Sequence, residues 1–279
     1  MRNRVLISSL KKWITKHCPA SVIKIADVIY DRYRLVRYKL VMVLHPHSTK
    51  FYCPCCGIRL RNFAIGTYLE YPDIFNLQRY EKTKQDVLCP YCKSLPRHRM
   101  LASWFNNHIE SLRNSTILYF APEYSMTLWV KAKKAQYITA DLYREADLKL
   151  DIQATGLPDA SYDIIIANHV LEHVDDFRKA LREMYRILKP GGSFICSFPM
   201  DPKIEILDEE TEPLPPEERL RRFGQNDHKR VFGMKADQLL TEAGFEVETI
   251  RGEDYPEEIL PVIGPADYDM NILFCCRKG

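Results

Sequence analysis

The chain has 279 residues, 46% of them hydrophobic, enough to bury a full α/β core and one further module. Its net charge of +3 is unevenly placed: residues 1–50 hold eleven Lys/Arg against Asp27 and Asp31, a local balance of +9, which leaves −6 for the remainder. A basic head on an acidic body excludes a uniformly basic nucleic-acid binder, and cysteines spaced as two CxxC pairs argue against a disulfide scaffold and for a metal site in a reducing compartment.

Residues 3–17 and 21–44 read as two helices separated by Cys18-Pro19, with Ser21 as N-cap of the second. Neither a signal peptide nor a spanning helix is expected: no uninterrupted apolar core precedes a small-residue cleavage site, and Val22 to Leu44 is broken by seven charged residues from Lys24 to Lys39. The expected location is therefore cytoplasmic. This basic arm (1–50) has three readings: packing on its own protein or on a second copy in a homodimer, peripheral contact with an anionic membrane at its inner face, or nucleic-acid contact.

Residues 51–95 form the predicted metal module. Cys53-Pro-Cys-Cys56-Gly57 and Cys89-Pro-Tyr-Cys92-Lys93 each bring two thiolates onto one ion, and together they complete a tetrahedral sulfur shell. Structural Zn2+ on Cys53, Cys56, Cys89 and Cys92 is the expectation, since four thiolates leave no open position; Cys55 is read as a non-ligand. A helix follows from Ser94, its N-cap, to about Leu112, with Pro96 in the first turn. Arg97, His98 and Arg99 at its start read either as a solvated end or as an anion or substrate contact.

From Thr116 the pattern alternates strands and helices. Strands are expected at 116–120, 136–140, 148–150, 162–167 and 193–198, and again at 245–250 and 271–276. Helices are expected at 125–134, from Asp175-Asp176 to Lys189, and at 235–243. Strand, helix, Pro190-Gly191-Gly192 turn and strand make a βαβ unit, which closes with a right-handed crossover. The fold class is α/β with a largely parallel sheet and helices on both faces. Residues 201–232, rich in Pro and Glu, do not read as core.

Three features in this order, LDIQATGLPDASYDIII, NHVLEHV and ILKPGGSFICSFP, following Asp141 at a strand end, resemble the class I S-adenosylmethionine (SAM) dependent methyltransferases. The resemblance covers about Thr116 to Lys278 and implies a Rossmann-like sheet over 96–279 with SAM as cofactor. It implies Asp141, with Leu142, at the SAM ribose, Asp151 and Ile152 at the adenine, and Asn168 at the methionine end, with His169 facing the acceptor. The usual Gly-rich first loop is replaced by Phe120-Ala-Pro-Glu123; Ala121 is small enough for close approach, and Glu123 stands where an acid would meet the SAM ammonium.

Together with CPxCG, CPYCKSLPRHR and FAPE, Phe223-Gly-Gln-Asn-Asp-His-Lys-Arg230 resembles a zinc-knuckle subgroup associated with surface-polysaccharide and other glycan biosynthesis. That implies O-methylation of a glycan or lipid-linked glycan, at a sugar or a sugar-linked phosphate. Residues 200–233 are expected to form a lid hinged at Gly224 and Gly233, with His228 as base, Asp227 orienting it, and Gln225, Arg230 and Arg97 as acceptor contacts. His169 and His173 are the other candidate bases, placed to share a helical face. The competing functions are an RNA base methyltransferase, less favoured by the acidic body, and a non-catalytic SAM- or zinc-binding module.

Overall fold

The computed structural model describes residues 50–63, 88–108, 114–133, 136–259 and 271–279, together with positions 36, 40 and 112. The expected N-terminal helices lie outside these residues, apart from Val36 and Leu40, which are helical and exposed. The chain divides into two compact units, 1–49 and 50–279, so the four-cysteine segment belongs to the same unit as the sheet.

That segment begins with a short antiparallel hairpin, β1 (Phe51–Cys53) and β2 (Ile58–Leu60), turned at Gly57, whose φ of 72° is easy only for glycine. Helix α1 (Pro96–Asn107) follows the second cysteine pair. Its N-cap is Leu95, not Ser94: the Leu95 amide donates to His98 Nδ1 at 2.9 Å, while the Ser94 hydroxyl lies 3.2 Å from Cys53 Sγ.

The main sheet has seven strands in the order β10-β11-β7-β6-β3-β4-β5. These are β3 (Ile117–Phe120), β4 (Tyr137–Asp141), β5 (Leu148–Lys149), β6 (Tyr162–Asn168), β7 (Leu188–Ser197), β10 (Glu246–Arg251) and β11 (Ile272–Arg277). All are parallel except β11, which enters antiparallel between β7 and β10. The expected strands are present with ends shifted by a residue or two, except that β7 begins at Leu188 and runs through the Pro-Gly-Gly turn, with a register shift opposite Tyr162–Ile164. From β3 the chain first steps outward to β4 and β5, then crosses back to β6 and β7, so the strand order reverses between β3 and β6.

Alternate residues of the buried strands serve opposite faces. Leu118, Phe120, Ile165, Ala167, Phe194 and Cys196 join the apolar stripe of α3 (Phe177–Ile187), namely Phe177, Ala180, Leu181, Met184 and Ile187. Asp176 caps α3 by accepting the Lys179 amide at 2.9 Å. The other buried set, including Ile117, Tyr119, Ile164 and Ile166, stands outside that cluster; Phe105 of α1 stacks on Trp129 of α2 (Tyr124–Lys133) at 5.5 Å.

The segment after β7 departs from expectation. It forms β8 (Leu207–Glu209), α4 (Pro216–Phe223) and β9 (Arg230–Phe232), with β8 and β9 paired, and it buries Phe223, Val231 and Phe232. Phe232 lies 3.9 Å from Phe198 and 5.5 Å from Phe177, ring to ring, so its end is part of the core. Its glycines are not hinges: Gly224 is the left-handed C-cap of α4, and a Cβ on Gly233 would meet the Ile204 carbonyl oxygen at 2.3 Å. Helix α5 (Asp237–Glu242) then leads into β10. No helix among the described residues is long and apolar enough to cross a membrane.

Candidate active site

Ligands of open α/β sheets bind beyond the carboxyl ends of the strands where the strand order reverses. The pairing places Phe120 level with both Ala140 and Ala167, and Asn168 level with Ser197. The next rung is therefore Ala121, Asp141, Asn168 and Ser197, in one line across the edge of β4, β3, β6 and β7. Three of these four are sequence-predicted site residues. Both strands at the reversal leave in left-handed backbone, Ala121 with φ 45° and His169 with φ 53°, conformations that ordinary side chains enter only under constraint. Ala121 thus performs the turn that a glycine would make more easily.

Asp141 is buried and accepts the amides of Tyr143 and Arg144 on Oδ1, each at 2.7 Å. It is therefore a turn cap as well as an edge carboxylate, and Oδ2 takes part in neither bond. Leu142 beside it is exposed. Asp151 holds its own loop in the same way, accepting the Gln153 amide at 2.8 Å, with Ile152 buried behind it. Asn168 accepts from the Ser197 hydroxyl at 3.0 Å, and the buried Tyr119 lies beneath them.

Glu123 is the meeting point of the edge and the cysteine segment. Its Oε1 accepts from Arg97 Nη2 at 2.8 Å and lies 2.6 Å from His98 Nε2, whose other nitrogen accepts the Leu95 amide. Burial pushes this carboxyl up, but Arg97 and then His98 outweigh it and hold it well below the usual carboxylate range. Oε2 is buried without a hydrogen-bond partner. Neither His98 nor Arg99 is solvated: Arg99 is buried and donates to the carbonyls of Ser94 at 3.0 Å and Ile259 at 2.7 Å. Arg97, read from the sequence as an acceptor contact, is joined to Glu123 and keeps its side chain 21% exposed.

Beyond Asn168 the chain turns rather than entering a helix, so His169 and His173 do not share a helical face. Between them Glu172 is fully buried, at 0% exposure, with Oε1 3.2 Å from His169 Nδ1 and 4.0 Å from His173 Nε2. Burial would raise the Glu172 carboxyl; His169 beside it, with His173 and His228 near, draws it below its ordinary value. Burial, reinforced by Arg97, pushes the His169 pKa down, so its ring is neutral near pH 7. Sequence reasoning passed over Glu172, although an acid between Leu171 and His173 in the NHVLEHV run marks it.

The 223–230 segment packs on this turn, but not as a lid of acceptor contacts. Arg230 is buried, and its guanidinium donates to the carbonyls of Leu171 at 2.7 Å, Val174 at 2.6 Å and Asp175 at 2.9 Å. It pins the turn. His228, the base expected from the sequence, is 2% exposed, with Nδ1 3.2 Å from the Phe223 carbonyl, so its ring is held inside rather than presented at the strand edge. Asp227 pairs with His173 at 3.3 Å rather than orienting His228. Gln225 is half-buried at the start of this turn. His169, its side chain 18% exposed, remains the imidazole at the strand edge.

Away from the edge, Cys53, Cys56, Cys89 and Cys92 bring their sulfurs within 4.8 Å of one another. The Cys53–Cys92 and Cys56–Cys89 separations are 3.6 and 3.8 Å. A tetrahedral zinc with bonds of about 2.3 Å sets its sulfurs roughly 3.8 Å apart, so the residues fit that ion without rearrangement. Cys55 is buried and stands outside the group.

A sheet whose strand order reverses between β3 and β6, with carboxylates at the end of β4 and after β5, has the Rossmann-like, doubly wound arrangement that binds ligands at this edge. Residues 112–196, under a third of the chain, match a family model described as a methyltransferase domain. The matched stretch holds Ala121, Glu123, Asp141, Asp151, Asn168, His169 and Glu172, but neither the four clustered cysteines nor the 223–230 segment. The chain is similar to a demethylmenaquinone methyltransferase of Listeria monocytogenes serotype 4a, 33% identical over 75 residues, 27% of this chain and 32% of that protein. A probable S-adenosylmethionine-dependent methyltransferase of Mycolicibacterium smegmatis is 35% identical over 97 residues, 34% of this chain and 33% of that one. The chain thus spans about a third of the length of these curated relatives. A solved S-adenosylmethionine dependent methyltransferase from Mesorhizobium loti aligns over 64% of this chain and 98% of its own at 15% identity, with a TM-score of 0.45.

Proposed function

We propose that the chain is a SAM-dependent O-methyltransferase acting on a hydroxyl of a sugar or sugar-linked phosphate, as the zinc-knuckle glycan subgroup implies. The observation that carries the reading is the edge rung with its charged flank: a carboxylate oxygen of Asp141 outside the turn it caps, an unpartnered oxygen of Glu123, and a histidine beside both strands of the reversal. Asp141 would hold the ribose hydroxyls, Asp151 and Ile152 the adenine, and the opposite charges of Arg97 and Glu123 the zwitterionic methionine end. When bound, SAM supplies an electrophilic methyl on a sulfonium.

The chain's task is then to align the acceptor and take its proton. Glu172 accepts from His169 Nδ1–H, which fixes the tautomer and leaves the Nε2 lone pair as the proton acceptor. The four cysteines hold a structural zinc that sets the start of α1, and through it Arg97 and His98. The basic arm docks on an anionic membrane where a lipid-linked acceptor would be presented.

The test is methyl transfer by the full-length chain from labelled SAM to nucleotide-linked and lipid-linked sugars and, in parallel, to a demethylated quinol. Sugar methylation that falls about 100-fold or more in His169→Ala, with SAM affinity within about threefold, is the expected result. Transfer to the quinol carbon alone would replace the acceptor class, and an unimpaired His169→Ala would remove the base.

A further inference from the structure

Glu172 is used only in part by the reading above. Its Oε2 is buried without a hydrogen-bond partner, and Oε1 has only the His169 ring, Nδ1 at 3.2 Å. A carboxylate cut off from water needs either a full hydrogen-bond set or a cation, and a single imidazole N–H is not a full set. Facing it are His173 and His228; one donor atom from each of the three residues lies within 4.8 Å of the others.

The far sides of both rings decide which nitrogens face inward. The His228 Nδ1 lies 3.2 Å from the Phe223 carbonyl oxygen, which can only accept, so Nδ1 carries the proton and Nε2 the lone pair. The His173 Nδ1 faces the Asp227 carboxylate at 3.3 Å, which imposes the same tautomer. Imidazoles whose outer N–H is held by a carboxylate and a backbone carbonyl have the arrangement that metal-ligating histidines use to aim their free nitrogen. The two parts of the cluster are also locked together: the Lys229 amide donates to the Glu172 carbonyl at 2.8 Å, Lys229 pairs with Asp175, and Arg230 ties down the turn through Leu171, Val174 and Asp175. The Arg230 charge is directed at those carbonyls and at Glu209, 3.5 Å from Nε.

We propose that Glu172, His173 and His228 bind a divalent transition-metal ion, separate from the four-cysteine site. The Glu172 carboxylate, whose Oε1 lies 4.0 Å from His173 Nε2, is the oxygen ligand, and the two Nε2 atoms complete a nitrogen, nitrogen, oxygen set. Three protein ligands of this kind suit zinc or another borderline ion and leave a coordination position open. That position lies on the side of His173, whose side chain is 35% exposed while Glu172 and His228 are buried. The ion would neutralise Glu172 and join the turn after β6 to the segment before β9. The site stands whatever the acceptor of the methyl group is.

Cobalt(II) added to full-length protein, its exchangeable metal first removed, reads the site directly. A nitrogen and oxygen set gives visible cobalt bands without the near-ultraviolet sulfur charge transfer of a thiolate site, so the two sites are told apart in one spectrum. We expect such bands to saturate at one equivalent per chain, and to be absent in Glu172→Gln and in His228→Ala. Asp227→Asn, changing an exposed side chain that only steadies His173, should bind cobalt about 10- to 100-fold more weakly while remaining folded. Wild-type protein without the nitrogen and oxygen bands, or with bands equally strong in Glu172→Gln and Asp227→Asn, overturns the proposal.

Discussion

Removing the Glu123 carboxylate tests how the cysteine segment communicates with the sheet edge. In Glu123→Ala, Arg97 loses its 2.8 Å partner and the buried His98 loses its 2.6 Å partner. A hydrogen bond to a charged group contributes about 1.5–3 kcal/mol; with Arg97 partly exposed, the pair together is worth about 2–3 kcal/mol. For a unit of this size that corresponds to a fall of roughly 5–10 °C in Tm. The same change should weaken SAM binding by about 10-fold, since Oε2 is the unpartnered acceptor beside Ala121. If the four cysteines hold the proposed zinc, chelation should loosen Ser94, Leu95 and the start of α1, and so act on the same contact. Calorimetry of SAM binding with and without chelator, in wild type and Glu123→Ala, forms a cycle. Chelation should weaken binding in wild type and add little in the variant. An equal loss in both proteins would refute the route through Arg97, His98 and Glu123.

Two other substitutions separate structural from functional roles. Arg230→Lys replaces a planar fork that spans three carbonyls with a single point ammonium, so urea unfolding should show a loss of roughly 2–4 kcal/mol with SAM affinity unchanged; an acceptor contact would instead spare stability and lower turnover. Glu183, held by Arg186 and by the Thr155 hydroxyl and amide, has its pKa drawn down to about 2. Because the folded value lies below the unfolded one, this stability is present above about pH 4.5 and is lost as pH falls toward 2. Discounted for solvent screening it amounts to about 1–2 kcal/mol, and Glu183→Gln should flatten that acid limb in unfolding experiments.

The sheet was legible because its strands are unusually plain. Ile164–Ala167 is an unbroken apolar run, as burial on both faces demands, and the stripe from Phe177 to Ile187 keeps helical spacing to its end. The acids of the edge were legible as well, since a strand end followed by Asp fixes their place before any contact is known. What the sequence concealed are partnerships across distance. Arg97 and Glu123 are 26 residues apart, and nothing in either neighbourhood names the other. Arg230 and His228 lie in a polar run between two glycines, which reads as a mobile loop; the carbonyls of Leu171, Val174 and Asp175 that demand a buried guanidinium become visible only when β9 is seen against the turn after β6. Glu172 was hidden for the opposite reason, an acid whose neighbours in sequence look like ordinary packing.

The central claim is that SAM binds on the rung formed by Ala121, Asp141, Asn168 and Ser197, and titration calorimetry of SAM into full-length wild type and Asp141→Ala tests it most directly. Loss of a paired, charged hydrogen bond worth roughly 1.5–3 kcal/mol should weaken binding by about 10-fold or more in the variant, at one site per chain. Wild-type protein that does not take up SAM, or an Asp141→Ala protein that binds it equally well, would contradict the account.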